Sequence, residues 1–322
     1  MWIYFIALLT GLAVLVYSAD LFVTGTAAIA RNLGVPPLLI GLTIVGLGTS
    51  TPEILVSAIA SWQGNSGLAV GNALGSNIAN IGLILGGTAL ISPLAFQSQI
   101  LKRELPVLMV TSILCFVLAW DGLTLLDGVL MLAGLLFFML WLIRTAVKKR
   151  NHDPLGDELE HELDRYIPTK KAWIFAVLGL FGLLLSSKML VWAAVNIAQA
   201  FGISDLVIGL TIVAVGTSLP ELAASVASVL KKEDDLAVGN VIGSNMYNLL
   251  AVYSLPGLIA PGMLAQSVVS RDFPVMLAFT LALFILGYGI AKVGRINRLE
   301  GLALLSSYGT YQWLVFQNSV TG

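Results

Sequence analysis

The sequence has few charged residues, few histidines and a single cysteine. Only 11% of its 322 residues are Asp, Glu, Lys or Arg, whereas soluble domains carry about 25%. The 17 basic and 18 acidic residues nearly cancel, so no basic surface is available for nucleic acid. Because Cys115 is the only cysteine, an intramolecular disulfide is excluded. These shortages exclude a soluble enzyme and a nucleic-acid-binding protein.

Apolar residues instead make up 57% of the chain, and the mean hydropathy is +0.92. A helix needs about 20 mainly apolar residues to cross a bilayer. Ten apolar runs of this kind fall near residues 2–29, 35–61, 68–91, 104–120, 123–146, 172–199, 203–230, 236–259, 272–291 and 298–317. We therefore predict an all-α polytopic membrane protein with ten transmembrane helices, whose surroundings are the lipid bilayer.

One polar stretch, residues 148–171, separates the fifth and sixth runs and contains both histidines, His152 and His161. With ten spans, 15 of the 17 basic residues, all except Lys188 and Arg271, fall on the side of this stretch. Basic residues accumulate in cytoplasmic loops. We therefore predict a multi-pass membrane protein with a cytoplasmic linker at 148–171 and both termini outside.

The two halves of the chain repeat one another at a shift of 168 residues. Residues 34–85 align with 202–253 without a gap, and 23 of the 52 positions are identical. We predict a first five-helix repeat at 1–147 and a second at 172–322. Because five is odd, the copies enter the membrane from opposite sides. Inverted repeats are typical of secondary transporters, which bind their substrate at the midplane between the copies.

Two polar motifs recur in both copies. The first copy reads Gly48-Thr49-Ser50-Thr51-Pro52-Glu53 and Gly71-Asn72-Ala73-Leu74-Gly75-Ser76-Asn77-Ile78-Ala79-Asn80. The second reads Gly216-Thr217-Ser218-Leu219-Pro220-Glu221 and Gly239-Asn240-Val241-Ile242-Gly243-Ser244-Asn245-Met246-Tyr247-Asn248. Glu53 and Glu221 lie inside apolar runs with no Lys or Arg beside them in the motifs. A buried carboxylate at this depth is costly, so we expect both to be functional.

The prolines of these motifs predict a break in each helix. Pro52 and Pro220 cannot donate to the carbonyls of Gly48 and Gly216, four residues earlier. Freed carbonyls, hydroxyl groups and two carboxylates form an all-oxygen set, which suits hard cations and Ca²⁺ in particular. The hydroxyl groups are those of Thr49, Ser50, Thr217 and Ser218.

The second motif adds polar groups from a neighbouring helix. Ser76 and Asn80 share one helical face because they are four residues apart, and Ser244 with Asn248 repeats the pattern. The remaining asparagines, Asn72, Asn77, Asn240 and Asn245, are expected either to bridge the broken helices or to bind the ion.

Outside the motifs, Asp20 and Lys188 are equivalent in the repeat. We expect a structural role for them, as a buried pair or with their charges at the membrane interface.

The paired motifs resemble the two alpha repeats of the calcium/cation antiporter superfamily, and most closely its prokaryotic sodium/calcium exchanger branch. The resemblance implies a transporter and not an enzyme, without a cofactor or an obligate protein partner. It implies exchange of Ca²⁺ against Na⁺ across the plasma membrane, normally expelling Ca²⁺. Alternating access in the family comes from sliding of the first and sixth helices past the rest.

The resemblance also implies a set of ion ligands. One Ca²⁺ would lie between Glu53 and Glu221. Flanking Na⁺ ions would use Thr49, Ser50, Ser76, Thr217, Ser218 and Ser244, together with the backbone carbonyls of Gly46 and Ala214. Some relatives carry Asp where this chain has Asn248, so its core offers two carboxylates only, and potassium dependence is in doubt.

Three other functions compete with exchange on the residues alone. A proton/Ca²⁺ antiporter, or one for another divalent cation, would use the same two glutamates as proton carriers. A passive cation channel or membrane scaffold would not need repeated buried acids on broken helices. A membrane-embedded enzyme would need a nucleophile with a base, or a His/Asp metal cluster, and the sequence offers neither.

Overall fold

The chain is mostly helical in a computed structural model, which describes residues 2–96, 101–150, 167–201, 214–288 and 294–321. The first half contains α1 (Trp2–Leu33), α2 (Pro37–Thr49), α3 (Thr51–Trp62), α4 (Ser66–Ile91), α5 (Leu101–Leu118) and α6 (Leu125–Arg150). The second half contains α7 (Thr169–Ala200), α8 (Ala214–Thr217), α9 (Leu219–Leu230), α10 (Asp234–Tyr247), α11 (Ser254–Ile259), α12 (Val268–Tyr288) and α13 (Arg298–Thr321). Two short strands pair antiparallel: β1 (Leu94–Ala95), which follows α4, and β2 (Arg295–Ile296), which precedes α13.

Each predicted apolar run coincides largely with helix in the described residues, while 202–213 and 289–291 lie outside them. Five described helices, α1, α4, α6, α7 and α12, have the length and apolarity of a membrane span. The bent pair of α2 and α3 makes a sixth if it counts as one span. The chain is therefore a helical membrane protein, while the ten-span inverted repeat stays a prediction.

Local sequence sets the ends of these helices. Gly34 follows α1 in a left-handed conformation (φ 61°), and the N–H of Val35 donates to the carbonyl of Ala30 at 2.9 Å. A glycine there closes the helix without a side-chain clash. Pro37 then begins α2, where its missing N–H costs no intrahelical hydrogen bond.

Two long helices, α1 and α7, pack along each other and form one layer of the molecule. Their contact is close because small residues face one another: a Cβ added to Gly25 would meet the backbone of Ala176. Both helices also pack on α9. A second layer holds the larger core, in which α10 packs on α2 through Gly239 and Gly243, against the backbone of Leu38 and Leu42.

One of the two roles expected for Asp20 and Lys188, a buried pair, is corrected by these positions. Asp20 does not pair with Lys188, because its carboxylate contacts Lys231 Nζ at 2.6 Å, while Lys188 is exposed. The linker predicted at 148–171 stays a prediction, with α6 extending to Arg150 at one end and α7 beginning at Thr169 at the other. Its residues 151–166, with both histidines, lie outside the described residues.

Candidate cation site

Both motif glutamates lie at the start of a half-helix that follows a break. Ser50 interrupts the first helix with φ −80° and ψ 2°, and Ser218 interrupts the second with φ −90° and ψ 5°. α3 and α9 then resume with proline at their second position, which confirms the predicted breaks. Glu53 and Glu221 therefore lie in the first turn, where unpaired N–H groups favour a negative charge.

The two carboxyl groups are buried and lie within electrostatic range of each other. Both glutamates are 1% exposed, and they interact electrostatically across the boundary between the copies. Each carboxyl group also interacts with its own backbone N–H. Two carboxylates brought together in a dry interior repel one another unless a cation or protons lie between them. A cation or protons bound between Glu53 and Glu221 would therefore stabilise this arrangement.

One asparagine in each copy holds the backbone of the motif glutamate. Asn72 Nδ2 donates to the Glu53 carbonyl oxygen at 3.0 Å and to Ser57 Oγ at 3.0 Å. Asn240 Nδ2 makes the equivalent bonds, to the Glu221 carbonyl at 3.3 Å and to Ser225 Oγ at 3.1 Å. These side-chain amide groups bridge the broken helices, so of the two roles predicted for them the structure supports positioning.

Thr49 connects the first copy to the second. Its hydroxyl donates to Asn240 Oδ1 at 3.1 Å and lies 3.4 Å from Ser244 Oγ. It also lies near the Glu221 carboxyl group. Ser244 Oγ in turn lies 3.5 Å from the carbonyl oxygen of Gly46. Residues predicted from both motifs and both copies therefore converge on one place.

The last asparagine of each second motif lies at a π-helical turn. Such turns begin at Asn80 (Asn80–Leu85) and at Asn248 (Asn248–Val252). Asn80 Nδ2 donates to Asn245 Oδ1 of the other copy at 2.9 Å. α3, with Glu53, packs on the turn that begins at Asn248, and α9 packs on the turn that begins at Asn80. Single π-helical turns are frequent at functional sites because they re-aim backbone and side-chain groups.

Several buried oxygen atoms at this place have no hydrogen-bond partner. They form three pairs that are equivalent in the repeat: Ser50 and Ser218 Oγ, Glu53 and Glu221 Oε2, and Asn80 and Asn248 Oδ1. A buried polar atom without a partner costs about 1–3 kcal/mol. Six of them at one internal boundary indicate a place for oxygen-coordinated ions, whose ligands are oxygens of these types.

The other predicted ligands are less open in this conformation. Ser76 is buried. The carbonyl of Gly46 accepts from the N–H of Ser50 at 3.0 Å, so it is not freed by the break. Thr217 is half-buried, and Ala214 begins α8. The carbonyl of Gly216, predicted to be freed by Pro220, accepts a hydrogen bond from Ser187 Oγ at 2.7 Å.

Four residues around the site were not predicted from the sequence. Ser57 and Ser225 hold the asparagines, and their identity in both copies was a usable signal. Ser187 contacts the second broken helix, and Tyr247 donates to the Leu42 carbonyl at 3.1 Å. The positions equivalent to these two hold alanine, so the repeat gave no signal for them.

A comparison with known families matches nearly the whole chain. The profile of the family described as sodium/calcium exchanger protein matches residues 3–146 and 171–317. The two matched segments end and begin close to the limits of the predicted linker. Members of that family are transporters and not enzymes.

Individual relatives and a solved structure agree with that profile. The chain is 50% identical to CaxA of Alkalimonas amylolytica over 314 residues, which are 97% of this chain and 98% of the relative. It is 35% identical over 352 positions to the sodium/calcium exchanger MaX1 of Methanosarcina acetivorans, covering 97% and 98% of the two chains. A structure of the sodium-calcium exchanger NCX_Mj, soaked with Na⁺ and Ca²⁺, superposes with a TM-score of 0.82 at 33% identity, over 96% of this chain and 97% of that chain.

Proposed function

The chain belongs to the sodium/calcium exchanger protein family, and on that basis we propose that it exchanges Ca²⁺ for Na⁺ across the plasma membrane, expelling Ca²⁺. The observation that carries this proposal is the set of six unpartnered buried oxygen atoms in three equivalent pairs. An all-oxygen set with two carboxylates suits Ca²⁺, and it also suits Na⁺, which is a hard cation of similar size.

The ligands divide between the two ions. Ca²⁺ lies between Glu53 and Glu221, with the Asn80 and Asn248 side chains behind them. Na⁺ ions use the hydroxyl groups and carbonyl groups on either side. These ligands are Thr49, Ser50, Ser76, Ser244, Thr217 and Ser218, with the backbone of Gly46 and Ala214.

The charge of the site bears on whether exchange moves net charge across the membrane. Two carboxylates balance one Ca²⁺ or two Na⁺, and a third Na⁺ adds one net positive charge. Among the described residues no third acidic side chain joins the pair to form a cluster. Exchange of three Na⁺ for one Ca²⁺ is therefore electrogenic. A reversal potential measured in voltage-clamped proteoliposomes tests this, since electroneutral exchange has none.

The molecule is arranged as two inverted five-helix repeats, 1–147 and 172–322, joined by a cytoplasmic linker at 148–171. This arrangement is supported by the gapless repeat in the sequence and by the equivalent breaks at Ser50 and Ser218. The basic residues support the orientation, with both termini outside. An inverted repeat gives two related conformations, each open to one side of the membrane.

One other coupling ion suits the same site. The Glu53 and Glu221 carboxyl groups are 1% exposed, and each has an unpartnered oxygen atom that a proton would also satisfy. A proton/Ca²⁺ antiporter would use these residues alone, without the surrounding hydroxyl groups. The nearby hydroxyls of Thr49, Ser50 and Ser218 favour Na⁺.

Transport in proteoliposomes tests the proposal. Vesicles loaded with Na⁺ are diluted into Na⁺-free buffer, and ⁴⁵Ca²⁺ uptake is compared with vesicles that have only a pH gradient. We expect uptake with the Na⁺ gradient alone, and loss of uptake in Glu53→Gln and Glu221→Gln. Glu104→Gln is the matched control, because Glu104 is also 1% exposed but lies outside the motifs. Uptake driven by the pH gradient alone would replace Na⁺ with protons, and no uptake in either case would refute Ca²⁺ as the substrate.

A further inference from the structure

The helix pair α1 and α7 packs on the half-helix that carries the glutamate in the second copy, and not comparably on its counterpart in the first copy. Both helices contact α9, the half-helix that has Glu221 in its first turn. Neither packs comparably on α3, its counterpart in the first copy, in the part of the chain that the structure describes. An inverted repeat predicts a second conformation in which these roles are exchanged. What holds the pair on α9 therefore decides which conformation is favoured.

A buried hydrogen bond is the first such interaction. Ser187 on α7 donates from Oγ to the carbonyl of Gly216 at 2.7 Å. Ser187 is 6% exposed, so water does not readily replace this bond. The equivalent residues in the first copy are Ala19 and Gly48. Because alanine has no hydroxyl group, the exchanged conformation cannot form the corresponding bond.

An ion pair at the far end of α9 is the second interaction. Asp20 on α1 contacts Lys231, directly after α9, at 2.6 Å. Their equivalents in the first copy are Lys188 and Gln63. The backbone turns are alike in both copies, since Lys232 (φ 62°) and Gly64 (φ 76°) are both left-handed. The turn is shared, but the side chains that form the pair are found only in the second copy.

A further acidic residue, Glu233, lies near this end. Glu233 is half-buried and lies within electrostatic range of Arg31 on α1 and of Lys231. Burial raises the pKa of Glu233, and Arg31 opposes that shift. The residues equivalent to Glu233 and Arg31 are Asn65 and Gln199, which are uncharged.

We infer that Ser187 with Gly216, and Asp20 with Lys231, form a one-sided latch that holds α1 and α7 on α9 and favours the conformation closed at the second copy. Ser187 is thus a positioning residue that acts on the ion site through the broken helix of Gly216. The inference rests on the proposed exchange function, because a transporter needs the two conformations that the latch distinguishes.

Cysteine labelling measures the latch without any ion flux. In a Cys115→Ser background, Ala227→Cys places a thiol on α9 where it is partly covered by the α1–α7 layer. Its reaction with a polyethylene-glycol maleimide is followed in detergent, with Ala223→Cys as a second position on the same covered face. Removal of both interactions, by Ser187→Ala and Lys231→Gln, is expected to speed labelling about fivefold, from one buried hydrogen bond and one exposed ion pair.

Matched variants separate the latch from general destabilisation. Ser186→Ala removes a hydroxyl that donates only within α7, to the Gly182 and Leu183 carbonyls. Lys232→Gln removes a neighbouring lysine that is not in the ion pair. Both are expected to label at the parent rate. The swap Asp20→Lys with Lys231→Asp is expected to restore slow labelling, relative to either single change.

A reversed latch gives the sharpest result. Gln63→Lys with Lys188→Asp builds the equivalent ion pair in the first copy and should speed labelling of Ala227→Cys while the native latch is intact. Equal labelling rates in the parent, the latch variants and the reversed latch would overturn the inference. Because labelling requires neither Na⁺ nor Ca²⁺, that outcome leaves the exchange proposal standing. Loss of Na⁺-driven uptake with a normal labelling response would refute exchange and keep the latch.

Discussion

The two copies of the repeat differ in their surroundings far more than in their motifs. Thr, Ser, Pro and Glu recur at the same positions, and the three pairs of unpartnered oxygen atoms are equivalent. Beside Glu221, α9 has the small residues Ala223 and Ala227 under the α1–α7 layer. Their equivalents in α3, Leu55 and Ile59, are each 57% exposed. The polar groups of the proposed ion site are thus shared by both copies, while helix packing distinguishes them.

The largest effect is expected where the copies are alike. In the proposed site, Glu53→Gln and Glu221→Gln each remove one of the two charges that face a single ion, so each should reduce Na⁺-driven Ca²⁺ uptake by about 100-fold or more. The two losses should be equal within the error of the flux assay, despite the different packing around α3 and α9. A variant that kept substantial uptake would show that the two copies do not share one ion.

A smaller but unequal effect is expected at the equivalent positions 46 and 214. A Cβ added to Gly46 would lie 3.1 Å from the backbone of Gly243 and Ser244, whereas the second copy carries alanine there already. Gly46→Ala should therefore destabilise the protein by about 1–3 kcal/mol through overpacking. Ala214→Gly should cost about 1 kcal/mol at most, as glycine does within a helix. Thermal unfolding in detergent measures both, and equal shifts would contradict the difference.

The bridging asparagines should also differ, this time with the larger effect in the second copy. Asn240 is 1% exposed and accepts from Thr49 as well as holding Glu221, whereas Asn72 is half-buried. Asn240→Ala should therefore raise the Ca²⁺ KM more than Asn72→Ala, by about 10-fold against about threefold, from the hydrogen bonds lost. Asn196→Ala is the control, because Asn196 donates within its own helix, to the Trp192 carbonyl. A larger effect at Asn72 would reverse the comparison.

The smallest effect concerns a residue found in one copy only. Tyr247 donates to the carbonyl of Leu42 at 3.1 Å, and its equivalent is Ala79. Tyr247→Phe removes the hydroxyl and keeps the ring, so the loss of unfolding free energy should be about 1 kcal/mol. Denaturation of the purified protein measures this value. Leu42 lies in a π-helical turn of α2, Gly41–Val45. An unchanged stability would show that the Tyr247 hydroxyl group does not stabilise this turn.

Sequence reasoning reached the parts of the site that local chemistry determines. Pro52 and Pro220 predict the two breaks because proline lacks an N–H wherever it stands. The spacing of Ser76 and Asn80 predicts their shared face because the helix period is fixed. Because Glu53 and Glu221 occupy equivalent positions in the repeat, the sequence alone assigned both to one set of ion ligands. These inferences needed only the motif and its repeat.

What the sequence could not predict depends on contacts between distant segments. Asp20 and Lys188 are equivalent and opposite in charge, yet the ion pair joins Asp20 to Lys231, because α1 packs on α9. Ser187 binds the Gly216 carbonyl across two helices, and nothing in the sequence near Ser187 indicates this. The π-helical turns at Asn80 and Asn248 likewise have no local sequence signal.

Equilibrium binding of ⁴⁵Ca²⁺ to the purified protein tests most directly whether the two copies form one ion site. The number of ions bound per chain is measured by dialysis, without and with Na⁺, for the parent protein, Glu53→Gln and Glu221→Gln. We predict one Ca²⁺ per chain, displaced by Na⁺ and lost in either variant. Two ions per chain, with one retained in each variant, would contradict a shared site between Glu53 and Glu221.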